Sequence, residues 1–178
     1  MATTVVLRDD SDGITHQICG QSQANSCAGA SLYMIECALK AQSVDGGEDR
    51  ILDLCGRGAE TIHSGIDSST TLNLLRSFGA KVYADVNTEP EKAHKGLILK
   101  TGKILDGHPA FVHIYWYIRQ HGKWSVNGAH AVVAIRINTK GGVVFLDPGQ
   151  GGQLFELQND GQYNQFGNDG RIYRVFYT

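Results

Sequence analysis

The sequence predicts an α+β fold, with helices from the first half packed against an antiparallel sheet from the second. Three observations carry this. Apolar residues recur at helical spacing after residue 27, and runs of β-branched and aromatic residues dominate after residue 110. Glycine is plentiful, 22 residues against 3 prolines, and is densest after Gly141, as tight turns between strands require. Helices followed by a meander of strands favour segregated layers over a βαβ alternation.

Asn25 or Ser26 is placed to cap a helix from Cys27 to Leu39, with Ala28, Leu32, Ile35 and Leu39 on one stripe. A second helix is expected from Arg50 to Cys55. A third runs from Ser69 to Phe78 with Gly79 as its stop, and a fourth from Glu91 to Lys100. The first strand covers Phe111 to Ile118, and the polar stretch Gln120 to Lys123 turns the chain. His130 to Ile137 follows, with His130 at its start; Thr139 to Gly142 then turns it into Val143 to Asp147. Gln153 to Leu157 and Arg171 to Tyr177 complete the set.

The chain has 178 residues, 42% of them apolar, enough to bury one core, and it shows no repeat or low-complexity tract. A single domain over residues 1–178 is expected. With 16 basic against 18 acidic side chains and a net charge of −2, it lacks the footprint of a nucleic-acid binder. No run approaches the roughly 18 apolar residues of a membrane span. Met1 to Asp10 lacks the features of a secretory signal, so a soluble chain, cytoplasmic in its producer, is expected. Its oligomeric state is left open.

Cys19, Cys27, Cys37 and Cys55 form no CxxC pair, and their spacings of 8, 10 and 18 suit neither a disulfide framework nor a zinc knuckle. No metal or cofactor is expected. Three of these thiols read as small buried hydrophobes. Cys27 differs, because the first turn of a helix presents unpaired N–H groups and a positive dipole end that stabilise an anion. A thiolate is the nucleophilic form of cysteine. Ala28, Gly29 and Ala30 leave space around it.

His130, in Asn127-Gly128-Ala129-His130-Ala131-Val132-Val133, and Asp147, before Pro148-Gly149, each have an ordinary alternative as a strand residue and a turn residue. Together they mean more. One begins a strand and the other ends its antiparallel partner, so their side chains are expected to be neighbours. The carboxylate then orients the imidazole that serves the nucleophile. Gln21, six residues before Cys27, is the favoured oxyanion donor beside the Cys27 N–H, with Gln17, Gln23 and Asn25 as competitors.

Gln-x5-Cys opening a small-residue helix, then Gly-x-His-Ala-Val, then a strand ending in Asp, resembles the papain-like cysteine protease superfamily. His108-Pro109-Ala110-Phe111-Val112 and Leu146-Asp147-Pro148-Gly149 are similar to the bacteriocin-leader peptidases. The 103 residues from Cys27 to His130 and the 17 on to Asp147 also resemble YopT-type bacterial effector proteases. The resemblance covers about residues 17–157. It lacks the tryptophan that follows the cysteine in plant papains and carries Asp where they have Asn, as a minimal bacterial-type enzyme would.

The resemblance implies a papain-like fold. It implies Cys27 as nucleophile, His130 as general base and acid, Asp147 as orienter and Gln21 as oxyanion donor. Hydrolysis of a protein or peptide substrate through a thioester follows, in a bacterial effector or toxin delivered without a classical signal. Two alternatives stand beside it: a glutamine deamidase or transamidase using the same residues, and a catalytically inactive papain-like binding module.

Other features are set aside. His108 and His113, five apart, would point to opposite faces of a strand and share no metal. His16, His63, His94 and His121 read as surface residues. Tyr115, Trp116 and Tyr117 read as sheet core, with the lining of a substrate groove as the alternative. Gly149 to Gly152 opens no helix and so makes no phosphate loop. Trp124 is the candidate to shelter the site from water.

Overall fold

The chain opens with a hairpin that the helical first half did not predict, formed by β1 (Thr4–Asp9) and β2 (Thr15–Gly20). The computed structural model describes residues 4–56, 66–82, 84–87, 95–104 and 108–178. Asp12-Gly13 between two β-branched runs was the available signal for this hairpin. The Asp10 carboxylate closes the turn by accepting from the Asp12 and Ile14 N–H groups, both at 3.0 Å. Ile18 and Cys19 of β2 anchor the hairpin in the core, and polar contacts tie down the largely exposed β1 side. Arg136 reaches Asp10 and Asp12, and Ser11 donates to Glu156. His16, expected at the surface, is buried here at 2.9 Å from Asp10.

Four helices follow among the described residues: α1 (Cys27–Lys40), α2 (Gly47–Leu54), α3 (Ser68–Ser77) and the single turn α4 (Thr101–Ile104). The first runs as its stripe requires. The second begins three residues earlier than expected, because Glu48 and Asp49 suit the positive end of a helix. The third is shifted by one residue and capped by Asp67, which accepts from the Thr70 N–H at 2.9 Å.

The helix expected from Glu91 to Lys100 is not formed where the structure describes it; residues 91–94 lie outside the described residues. Tertiary partners take the backbone donors instead. Leu97 N–H donates to Ile172 O at 2.8 Å, Leu99 N–H to Asn159 at 2.7 Å and Lys100 N–H to the Tyr177 hydroxyl at 2.8 Å. Gly96, at φ 70°, presses on the Gly161 backbone where a side chain would collide.

The second half forms one antiparallel sheet. β3 (Ala84–Asn87), β4 (Ala110–Gln120), β5 (Lys123–Ile137), β6 (Val143–Asp147), β7 (Gln153–Leu157) and β8 (Asp169–Tyr177) lie in the order β3-β8-β4-β5-β6-β7. Leu32, Ile35, Leu52 and Leu75 of the helices pack on one face with Phe111, Val133 and Phe176. The other face is closed by Leu99, Ile104 and Tyr163 against Val112, Val132 and Phe145. Burial on both faces explains the unbroken apolar runs of β5 and β6. His130 is not at a strand start, as the sequence suggested. β5 begins seven residues earlier, and residues 123–129 extend as an exposed stretch paired with β4.

Candidate active site

Cys27 is the first residue of α1 and half-buried. The first intrahelical bond runs from Ala30 N–H to Ser26 O at 3.0 Å. The N–H groups of residues 27–29 therefore have no carbonyl within the helix, and the positive dipole end lies at the sulfur. Ser26 does not cap this end. Its hydroxyl donates to Gln23 O at 3.0 Å or to Glu48 at 2.8 Å.

His130 lies where β5 passes from exposed residues into the core. Its Nε2 is 2.8 Å from Oδ1 of Asp147, the last residue of β6. The β5–β6 ladder closes at Val133 opposite Leu146. One further step sets Asp147 against Val132, so His130, on the same face two residues earlier, reaches it diagonally. The carboxylate is fully buried. Its Oδ1 also accepts from the Gly149 N–H at 2.6 Å, and its Oδ2 from the Tyr163 hydroxyl at 2.6 Å.

Cys27 lines the same cleft as this imidazole, close enough to raise its proton affinity. With Nε2 engaged by Asp147, Nδ1 is the nitrogen left for the sulfur. Burial disfavours a charged ring, but hydrogen bonds and negative charge from Asp147 and Cys27 outweigh it and push His130 up to about 10. Burial, then the Asp147 charge, raises the Tyr163 hydroxyl well above its ordinary value, which keeps it a donor.

Two hydrogen bonds tie the cysteine segment to the histidine and aspartate segments. Ser31, one turn along α1 from Cys27, donates to Ala131 O at 3.0 Å, beside His130. Gln21 N–H donates to Pro148 O at 2.9 Å, beside Asp147. Gly20 lets this junction close, since a Cβ there would stand 2.7 Å from the Gly151 carbonyl carbon. Glu48, fully buried on α2, accepts from the Ser22 N–H, the Ser22 hydroxyl and the Ser26 hydroxyl, and so holds the loop leading to Cys27.

A cleft of about 560 Å³ opens over Cys27 and His130. Ala28, Ala129 and Ala131 keep its floor small, and Trp116 and Tyr173 stand at its sides. Trp116 stacks on the His130 ring at 5.6 Å and 24°. It takes the sheltering place expected of Trp124, which is 48% exposed near the start of β5. Tyr115 and Trp116 are half-buried beside the cleft, so this aromatic run is only partly sheet core.

The oxyanion candidates separate by position. Gln21 directs its amide N–H groups to Gln23 O at 2.7 Å and Ala24 O at 3.1 Å, and is not among the residues that line the cleft. Gln17 accepts from Ser43 at 3.0 Å on another surface, and of the four amides Asn25 is the one that lines the cleft. No cluster of three or more His, Cys, Asp or Glu residues suited to a metal occurs among the described residues. His108 and His121 are exposed, whereas His63 and His94 fall outside the described residues. No helix among the described residues is long and apolar enough to cross a membrane.

Sequence reasoning missed Tyr163 and Ser31, and it favoured the sheet core over a groove wall for Trp116, which stands at the cleft. Ser31 had a faint signal, a hydroxyl set among the apolar residues of α1. Tyr163 had none, because its loop is placed by the sheet alone. Neither the protein-family models nor the curated proteins searched contain a match to this chain.

Proposed function

We propose that the chain is a papain-like thiol hydrolase that cleaves an amide bond of a polypeptide substrate through Cys27, His130 and Asp147. The observation that carries this is a single imidazole that shares a cleft with a helix-start cysteine and is bonded at 2.8 Å to a buried carboxylate. In the first step the Cys27 sulfur attacks the substrate carbonyl carbon, and the oxygen takes up the negative charge. The Cys27 N–H is the donor assigned to that oxygen, with Asn25, which lines the cleft, as the side-chain amide to test beside it. Gln21 would need to release its loop carbonyls before joining them. Donors of this kind typically supply about 2.7–4 kcal/mol each.

His130 then gives its proton to the leaving amine, the C–N bond breaks and a thioester remains on Cys27. Water enters and loses a proton to His130. The resulting attack releases the acid and restores the thiolate–imidazolium pair. Asp147 keeps Nε2–H engaged and the ring aimed throughout, as the third member of such a site does.

Intact-mass analysis of polypeptides treated with the native protein and with Cys27→Ala tests this. Cleavage that disappears in Cys27→Ala, together with iodoacetamide labelling at Cys27 in the native chain, is the expected result. A gain of about one dalton without cleavage would instead assign deamidation of a glutamine side chain by the same thioester route. An inert Cys27 thiol in a folded protein would leave a binding module. Cleavage undiminished by Cys27→Ala would refute the mechanism.

A further inference from the structure

The cleft wall carries a carboxylate that the reaction does not use. Asp67 lines the cleft beside Ile66 and Ser68, at the start of α3. Among the described residues that line the cleft there is no lysine, arginine, glutamate or second aspartate. Asp67 is held in place by the residues that follow it. Its carboxylate accepts from the Ser69 hydroxyl at 2.6 Å, the Thr70 hydroxyl at 2.8 Å and the Thr70 N–H at 2.9 Å. These bonds hold the carboxyl below its ordinary range, so it stays ionised at neutral pH. The residue is nevertheless exposed.

In a cleft of about 560 Å³ a charge on one wall is felt at the others, since salt screens exposed charges only over about 8–10 Å. The positive end of α3 offsets about half of the Asp67 charge, so the preference it sets is severalfold and not absolute. Ile66, Trp116 and Tyr173 add apolar and aromatic surface to the same space. An aliphatic stem ending in a cation suits that combination. The stem covers apolar surface while the head meets the carboxylate or a ring face. An acidic side chain meets the same wall with repulsion.

We propose that Asp67 makes the cleft selective for a polypeptide with a lysine or arginine side chain beside the bond that Cys27 attacks. The bond broken rests on the hydrolase reading, whereas the charge preference at Cys27 is measurable without any substrate. Asp67→Asn isolates the charge, because asparagine caps a helix about as well as aspartate and keeps an acceptor for the Thr70 N–H. Asp67→Ser removes the charge with a different cap, so an effect common to both variants belongs to the charge and not to the shape of the cap.

The probes are two methanethiosulfonates, one ending in trimethylammonium and one in sulfonate. Each transfers its S-alkyl group to a thiolate, forming a disulfide and releasing methanesulfinate. Labelling at Cys27 is followed by peptide mass spectrometry, with Cys37, which lines a separate hollow, as internal control. The ratio of cationic to anionic rates at Cys27 is expected to fall about fivefold in both variants and to stay constant at Cys37. Salt at about 1 M should bring the native ratio close to that of the variants. In parallel, a denatured protein cut beforehand at acidic residues, so that Lys and Arg stay internal, is exposed to the active chain. Cleaved peptides should be enriched in Lys and Arg beside the cut, and Asp67→Asn should remove the enrichment. A ratio that falls in both variants with no peptide cleaved would remove the hydrolase reading and keep the cation-selective cleft. Cleavage without that enrichment, or a ratio unchanged in both variants, would overturn the proposal and leave the hydrolase reading standing. A Cys27 inert to both reagents would overturn both.

Discussion

Asp147→Asn separates the charge of the buried carboxylate from its shape. In the native protein Oδ1 accepts from His130 Nε2 and the Gly149 N–H, and Oδ2 accepts from the Tyr163 hydroxyl. Asparagine can keep its carbonyl oxygen at the first position. Its NH₂ then faces a hydroxyl that can turn and accept. The hydrogen-bond count survives while the negative charge is lost.

Hydrogen bonds to charged groups contribute about 1.5–3 kcal/mol, against about 0.5–1.5 for neutral ones, so the imidazolium loses about 1–2 kcal/mol. At about 1.36 kcal/mol per pH unit, the His130 pKa should fall by about one unit. Folding raises this group from 6.5 to about 10. Its stabilisation is therefore complete below pH 6.5 and is lost as pH rises toward 10. In Asp147→Asn the loss should finish about one pH unit sooner, with stability at pH 6 lower by about 1–2 kcal/mol. Urea unfolding at several pH values and an NMR titration of the imidazole measure both effects. The rate of any Cys27-dependent cleavage should fall about 5- to 30-fold without vanishing, because the ring stays oriented. An imidazole titration identical in the two proteins would refute the argument that Asp147 holds the proton on His130.

Tyr163→Phe removes the donor to Oδ2 and leaves a buried carboxylate oxygen short of a partner. A stability loss of about 1–3 kcal/mol is expected in chemical denaturation, and none would show that the hydroxyl contributes nothing net. Ser31→Ala frees the Ala131 carbonyl in the core. It should cost about 1 kcal/mol and slow iodoacetamide labelling of Cys27 severalfold, read by peptide mass spectrometry, since the lost bond joins the helix of Cys27 to the strand of His130. Unchanged labelling in Ser31→Ala would mean that packing alone aligns the two.

The extent to which the site could be read from sequence follows from the range of the forces involved. Periodicity is local, so the stripe of α1 and the apolar runs of β5 and β6 announced themselves, as did the placement of Cys27 at a helix start. The pairing of His130 with Asp147 was legible because adjacent strands joined by a tight turn must be antiparallel. Even there the register was a tertiary matter. The two residues meet diagonally, and β5 starts seven residues earlier than its apolar half suggests, because exposed β residues carry little hydrophobic signal.

The remaining differences arose where distant groups compete for backbone donors or acceptors. Residues 97–100 have a helical composition, yet Ile172, Asn159 and Tyr177 capture their N–H groups. The Gln21 amide, six residues from Cys27 as expected of an oxyanion donor, is turned into its own loop by two carbonyls. Sequence by itself determined the helix that starts at Cys27, the apolar strands from His130 to Asp147 and which residue types are available for chemistry, since those depend on near neighbours along the chain. Only the tertiary structure decided that Tyr163 anchors Asp147, that Trp116 and not Trp124 covers His130, and that the β4–β5 hairpin runs on past β8 and β6. Each of those depends on sheet order and on contacts between residues far apart in the chain, which no local pattern encodes.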